Sequence, residues 1–119
     1  MASVHLKLRC GGKREDLFAV GERLTEELIG RGAEKICEKE HFLGGGTAYF
    51  LAFERFYMRN GSYASLSVML TDNGETQTAD IVGSGGGEGI FNIGLGANTN
   101  FAGMAADVLQ KCGFAFEEE

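Results

Sequence analysis

The sequence predicts an α+β fold, a two-layer sandwich in which a mainly antiparallel sheet carries two helices on one face, in the order strand, helix, strands, helix. Three observations predict it. Val4, Leu6, Leu8 and Cys10 alternate with His5, Lys7 and Arg9, the period-two pattern of a half-buried strand. Leu17, Val20, Leu24 and Leu28 recur at helical spacing. Two Asn-Gly pairs, Asn60-Gly61 and Asn73-Gly74, each separate strand-like runs. Asn-Gly favours the type I′ turn, whose twist suits a hairpin.

The first strand breaks at Gly11-Gly12. The first helix carries Arg14, Glu22, Glu26 and Arg31 away from its apolar stripe and stops near Gly30-Arg31-Gly32. The highly charged stretch from Ala33 to Phe42 reads as a weak strand at a sheet edge, ended by Gly44-Gly45-Gly46. Thr47–Arg59 and Ser62–Thr71 then flank the first hairpin turn, and Ser62–Asp72 and Glu75–Ser84 the second. After the glycine-rich segment Gly83–Gly89, the run Ile90–Leu95 is short and strand-like. Asn98 or Thr99 can cap a helix running to about Cys112, with Phe101, Ala105, Val108 and Cys112 on one face. Phe114 and Phe116 are expected to pack back, and residues 117–119 form an acidic tail. No repeat or internal boundary divides the chain, so residues 1–119 read as a single domain.

Composition narrows the function classes. A chain of 119 residues buries roughly 65% of its unfolded surface, enough for a core without staples. The net charge is −6, and the longest basic run is Lys13-Arg14. Both argue against nucleic acid and against anionic membranes as partners. The longest apolar run, Ala48 to Phe53, is six residues and cannot span a bilayer. His5, Lys7 and Arg9 interrupt the apolar region that a signal peptide needs. Three cysteines without a C-x-x-C pair fit a reducing compartment, so a cytoplasmic protein is expected. The three cysteines and two histidines are scattered, which predicts no metal site, and nothing calls for a cofactor. Cys37 and His41, four residues apart in a strand, stand roughly 13 Å apart, too far for a thiol–imidazole pair.

Two-residue hairpin loops would pair residue 59 with 62 and 72 with 75. The rows Leu51–Leu70–Gln77, Phe53–Val68–Ala79, Arg55–Leu66–Ile81 and Tyr57–Ala64–Gly83 then form the face that meets the helices. Arg55 on that face has to be paired, lie at the rim or face a ligand in a sheet–helix cleft. A three-residue first loop would bring Glu54 inward instead. The opposite face is too apolar for a freely solvated one, with Phe50, Phe56, Met58, Tyr63, Met69 and Val82. Phe56, Met58, Tyr63, Met69 and Val82 are its interface candidates, the other reading being that an element of the same chain covers them. On the same face Glu54 and Asp80 would flank Ser67 at roughly 9.6 Å. Inverting glycosidases use such carboxylate spacings. An open sheet face is no cleft, however, so a polar stripe or interface hydrogen bonding is the expected role. No catalytic residue is identified.

The segment Gly83-Ser84-Gly85-Gly86-Gly87-Glu88-Gly89 lacks the Lys-Ser/Thr of a phosphate loop and the G-x-G-x-x-G spacing. It reads as a bulge or sharp bend before Ile90. Its second reading is a binding loop whose backbone N–H groups form an anion nest, although Glu88 opposes a phosphate there. Arg55, Gly85, Gly86, Gly87 and Asn92 are the candidate ligand-lining residues.

The motifs Phe53-Glu54-Arg55-Phe56, Ser65-Leu66-Ser67-Val68, Gly83-Ser84-Gly85-Gly86-Gly87 and Ile90-Phe91-Asn92-Ile93 lie between Ala52 and Gly113. Over that stretch the chain resembles a family of small bacterial proteins known only as a domain of unknown function. The resemblance implies the fold and the compartment and carries over no activity and no catalytic residue. The expected function is therefore that of a non-enzymatic cytoplasmic domain. It would act through self-association, with a dimer favoured, or through a protein partner. The alternative is a small-ligand module built on the Gly83–Gly89 loop and a sheet–helix cleft.

Overall fold

A computed structural model describes residues 3–12, 15–58, 61–85 and 97–117, with 97–100 described by backbone alone. The elements are β1 (Ser3–Cys10), α1 (Leu17–Gly30), β2 (Glu34–Leu43), β3 (Gly46–Tyr57), β4 (Ser62–Asp72), β5 (Gln77–Gly85), α2 (Ala97–Lys111) and β6 (Ala115–Phe116). Every strand pairing is antiparallel, in the order β2-β3-β4-β5-β1-β6. The predicted α+β fold is what forms, with both helices contributing to one core against one face of the sheet.

The local causes can be read residue by residue. Asp16 caps α1, its carboxylate accepting from the backbone N–H groups of Phe18 at 3.1 Å and Ala19 at 3.3 Å. These are among the donors a helix start leaves unpaired. At the other end Gly32, at φ +99°, reverses the chain, and its N–H donates to the Ile29 carbonyl. The stripe Leu17, Val20, Gly21, Leu24 and Leu28 is buried. In α2 the buried stripe is Phe101, Ala102, Ala105, Ala106, Val108 and Leu109. It lies across β1, β4 and β5, while α1 crosses β2, β3 and β4. Phe114 packs into the same core, and Ala115–Phe116 pair with β1 as a short edge strand. The charged Ala33–Phe42 stretch forms β2 at the other edge, joined to β3 by the two-residue turn Gly44-Gly45. The expected strand Ile90–Leu95 and the Asn98 or Thr99 cap lie outside the described residues and side chains.

Both Asn-Gly hairpins are wider than the two-residue reading. Tyr57 pairs with Ser62 and Asp72 with Gln77, so each loop holds four residues and each register moves by two. In the second loop the side chains take the backbone donors. Asp72 Oδ1 accepts from Gly74 N, and Asn73 Oδ1 accepts from both Glu75 N and Thr76 N, all at 2.8 Å. Asx side chains of this kind offer the backbone an alternative to ladder pairing. In the first loop Gly61, at φ +65°, donates its N–H to the Tyr57 carbonyl at 2.9 Å. A shift of two keeps every side chain on its face, whereas a shift of one would have exchanged the faces.

Candidate functional site

The side of the sheet away from the two helices is not covered by either of them. The pairings arrange it in rows that run across the strands. One end row is His41–Ala48–Thr71–Thr78–Arg9, and the next is Lys39–Phe50–Met69–Asp80–Lys7. The middle row is Cys37–Ala52–Ser67–Val82–His5, followed by Glu34–Glu54–Ser65–Ser84–Ser3. Phe56 and Tyr63 close the far end, paired with each other. Their rings lie 5.0 Å apart, centroid to centroid, tilted by 57°. Aromatic pairs at this separation attract through their quadrupoles.

The predicted interface residues all carry exposed area: Phe56 46%, Met58 86%, Tyr63 57%, Met69 39% and Val82 37%. Phe56, Tyr63, Met69 and Val82 lie on this face, and Met58 follows β3 at the aromatic end. At the opposite end Leu43, Gly45, Gly46, Ala48 and Thr71, together with Thr47, Asp72 and Asn73 around the sheet end, line a mostly apolar hollow of about 320 Å³. The charges on the face are graded along the strands. Arg9, Lys39 and Lys7, with Asp80 among them, occupy the two rows at the hollow end. Glu34 and Glu54 stand opposite each other in the row next to the aromatic pair. No sequence motif marks this gradient. It emerges only once the register places β1 and β2 on either flank of the apolar strands.

The shifted register overturns the carboxylate reading. Ser67 sits between Ala52 and Val82, Glu54 faces Ser65, and Asp80 faces Met69. Glu54 and Asp80 are thus two rows as well as two strands apart, roughly 16 Å from strand geometry, and they do not share a neighbour. The polar contact in the Glu54 row is the Ser65–Ser84 hydroxyl bond at 2.8 Å.

The candidate ligand-lining residues are not gathered into one described site. Arg55 lies at the rim of the helix-side face, where Nη1 donates to the Tyr57 hydroxyl at 2.9 Å. Its guanidinium stands 4.6 Å from the centroid of that ring. Gly85 ends β5 opposite Ala64 at φ +85°, and a Cβ there would come within 2.8 Å of the Tyr63 carbonyl oxygen. That close approach accounts for glycine at position 85 without any ligand. Gly86, Gly87 and Asn92 lie outside the described residues.

A sheet–helix cleft of about 520 Å³ does exist, elsewhere than expected, where α1 crosses above β2 and the edge of β3. Asp16, Glu22, Glu26, Glu38 and Glu40 line it, with Lys35 and Tyr49. The Tyr49 hydroxyl and the Lys35 ammonium both donate to Glu38. Those two bonds, Lys35 first, hold the Glu38 carboxyl below its ordinary range. Burial, together with the Glu38 carboxylate, pushes the Tyr49 phenol well above its ordinary range. Gly21 admits the Tyr49 ring: a Cβ on Gly21 would lie 2.2 Å from Cε2. No group of three or more metal-ligating side chains occurs among the described residues. No helix among them is long and apolar enough to cross a membrane.

What defines this protein is an α+β sheet with one covered and one open face, and the chain belongs to a family that shares this span. It is a member of the family of unknown function DUF6054, whose match covers residues 1–113. The relation therefore extends over the N-terminal strand and first helix, well beyond the stretch from Ala52 that carries the motifs. No curated protein and no solved structure matches the chain.

Proposed function

We propose that this chain is a non-enzymatic cytoplasmic docking domain that works through the open face of its sheet, by self-association or by holding a protein partner. The observation that carries the reading is the exposure of Phe56, Met58, Tyr63, Met69 and Val82 together. Exposed apolar side chains gathered on one face of an otherwise polar domain mark interaction sites. The hydroxyls and charges on the face are spread at strand spacing and do not converge on one point, as a catalytic constellation would require. The thiols of Cys37 and Cys112 are free, which fits a reducing compartment.

Native mass spectrometry of the protein purified without added ligand tests the reading, with Phe56→Glu alongside. Association of bare chains that Phe56→Glu abolishes supports it. An assembly indifferent to Phe56→Glu removes it. A second reading, a small-ligand module, draws on the acidic cleft between α1 and β2. A cationic molecule would fit that lining, and a monomer carrying reproducible extra mass would favour it.

A further inference from the structure

We infer that the occupant of the open face is a second copy of this chain. It is stacked sheet on sheet about a two-fold axis that crosses the strands at the Ala52–Ser67–Val82 row. The inference rests on the docking reading above and names the partner and its orientation.

Charge is the first argument. The chain as a whole carries a net charge of −6. On the open face Arg9, Lys39 and Lys7 balance Asp80, Glu34 and Glu54, with the cations at one end and the paired carboxylates at the other. Glu34 and Glu54 stand directly opposite in one row, and like charges so placed repel. No cation shares their row. A two-fold axis across the strands reverses the second sheet end to end and keeps each strand over its own copy. It sets Glu34 and Glu54 of one copy above the row that holds Lys39 of the other, twice over. A two-fold axis along the strands would set cation rows above cation rows.

Shape is the second argument, and it selects the same axis. The reversal brings Phe56 and Tyr63, on β3 and β4, above Ala48 and Thr71 on the same two strands of the partner. Ala48 and Thr71 line the apolar hollow of about 320 Å³, so the aromatic end of each copy meets the hollow of the other. The row at the axis is built of small side chains, Cys37, Ala52, Ser67 and Val82, with His5 at its flank, which lets two sheets approach the ~10 Å typical of stacked sheets.

Area is consistent with both. Five strands across and the four rows that span all of them give a face of about 24 Å by about 27 Å. That footprint of about 650 Å², before side-chain relief is counted, approaches the ~800 Å² per partner of a standard stable interface.

The test is a charge exchange on the full chain, read as the dimer dissociation constant by analytical ultracentrifugation. The variants are Lys39→Glu, Glu34→Lys, the two combined, and Phe56→Glu. Both charged sites are exposed on the edge strand, and thermal unfolding verifies that each variant folds. The expected result is a wild-type dimer that each single reversal weakens about tenfold, because attraction becomes repulsion at two symmetric places. The combined variant restores the affinity to within about threefold, because the reversed charges pair again across the interface. A combined variant as weak as the two single effects multiplied overturns the stack. If Phe56→Glu still dissociates that dimer, the face survives and only the orientation fails. If Phe56→Glu leaves the dimer intact, the docking face fails as well. A wild type that stays monomeric at high micromolar concentration overturns the second copy as occupant and leaves the face to a different protein.

Discussion

On the helix side of the sheet Leu51, Phe53, Leu66, Val68, Leu70 and Ile81 are fully buried, while on the other side Phe56, Tyr63, Met69 and Val82 keep between 37% and 57% of their surface exposed. The same strands supply both sets, and the residue types overlap. The difference lies in what each face meets. Both helices close over one face and bring Leu24, Leu28, Phe101 and Leu109 to it. The other face carries apolar side chains in a frame of separated charges. An apolar residue type therefore says that a position prefers a dry neighbour, and the topology decides whether this chain supplies it.

Cutting into the two faces should give unlike results. Phe53 is among the largest fully buried side chains. Phe53→Ala removes its transfer energy and leaves a cavity that the neighbours fill only in part. The expected loss is about 3–5 kcal/mol in chemical denaturation, the largest effect of any change considered. A loss below about 1 kcal/mol would mean that the helix face is far more pliable than its packing implies.

Gly21→Ala probes how tightly that face is closed. On an exposed helix the change would stabilise by about 1 kcal/mol through propensity. Here the added methyl runs into the Tyr49 ring, which Phe18 holds from the side with an edge contact at 5.0 Å between centroids. Tyr49 cannot swing away without giving up its bond to Glu38. A net loss of about 1–3 kcal/mol is expected, the range of overpacked cores. A stabilised variant would show that α1 slides freely over the sheet.

How much of this could be read in the sequence follows from the range over which each feature is decided. The faces were legible because alternation is local: Leu6 and Leu8, or Leu66 and Val68, declare their side within a few residues. The register was not, because Asp72 and Asn73 spend their side chains on the turn and widen it by two residues. The widening was even, so the face assignment survived a wrong pairing. The insertion of β1 between β5 and β6 pairs it with β5 residues 67 to 81 positions away, and nothing near Val4 announces Gly83 as its partner. The charge gradient on the open face depends on that insertion, so the apolar half of the site was legible and the charged half was not. The tight place at Gly21 was hidden for the same reason, since its cause is Tyr49 on another element.

Phe56→Ala sharpens the comparison from the open side. Phe56 is half exposed and its ring contact is Tyr63. Denaturation at low protein concentration should show a loss below about 1 kcal/mol, the scale of a cross-strand pair. At high concentration the gap to wild type should widen, because association stabilises only the folded chain that can make it. A gap that does not change with concentration would place Phe56 in the fold and not at an interface.

The smallest effect is expected where the helix-side face runs out of cover. At β2 that face ends on Glu38, which pairs in register with Leu51 but stands at the cleft with Lys35 and Tyr49 as donors. Its folded carboxyl is held below its ordinary value of 4.5. A depressed folded value means that the stabilising contribution is complete above the unfolded value and fades as pH falls through the folded one. Glu38→Gln should therefore be less stable than wild type at neutral pH, by less than about 1 kcal/mol because the side chain is partly solvated. The two proteins should converge in acid, as the wild-type carboxyl takes up its proton and resembles the amide. Denaturation midpoints followed from neutral pH down to pH values well below 4.5 measure this. A difference that persisted unchanged into acid would assign the loss to packing against Tyr49, and the edge of the covered face would then be held by shape and not by charge.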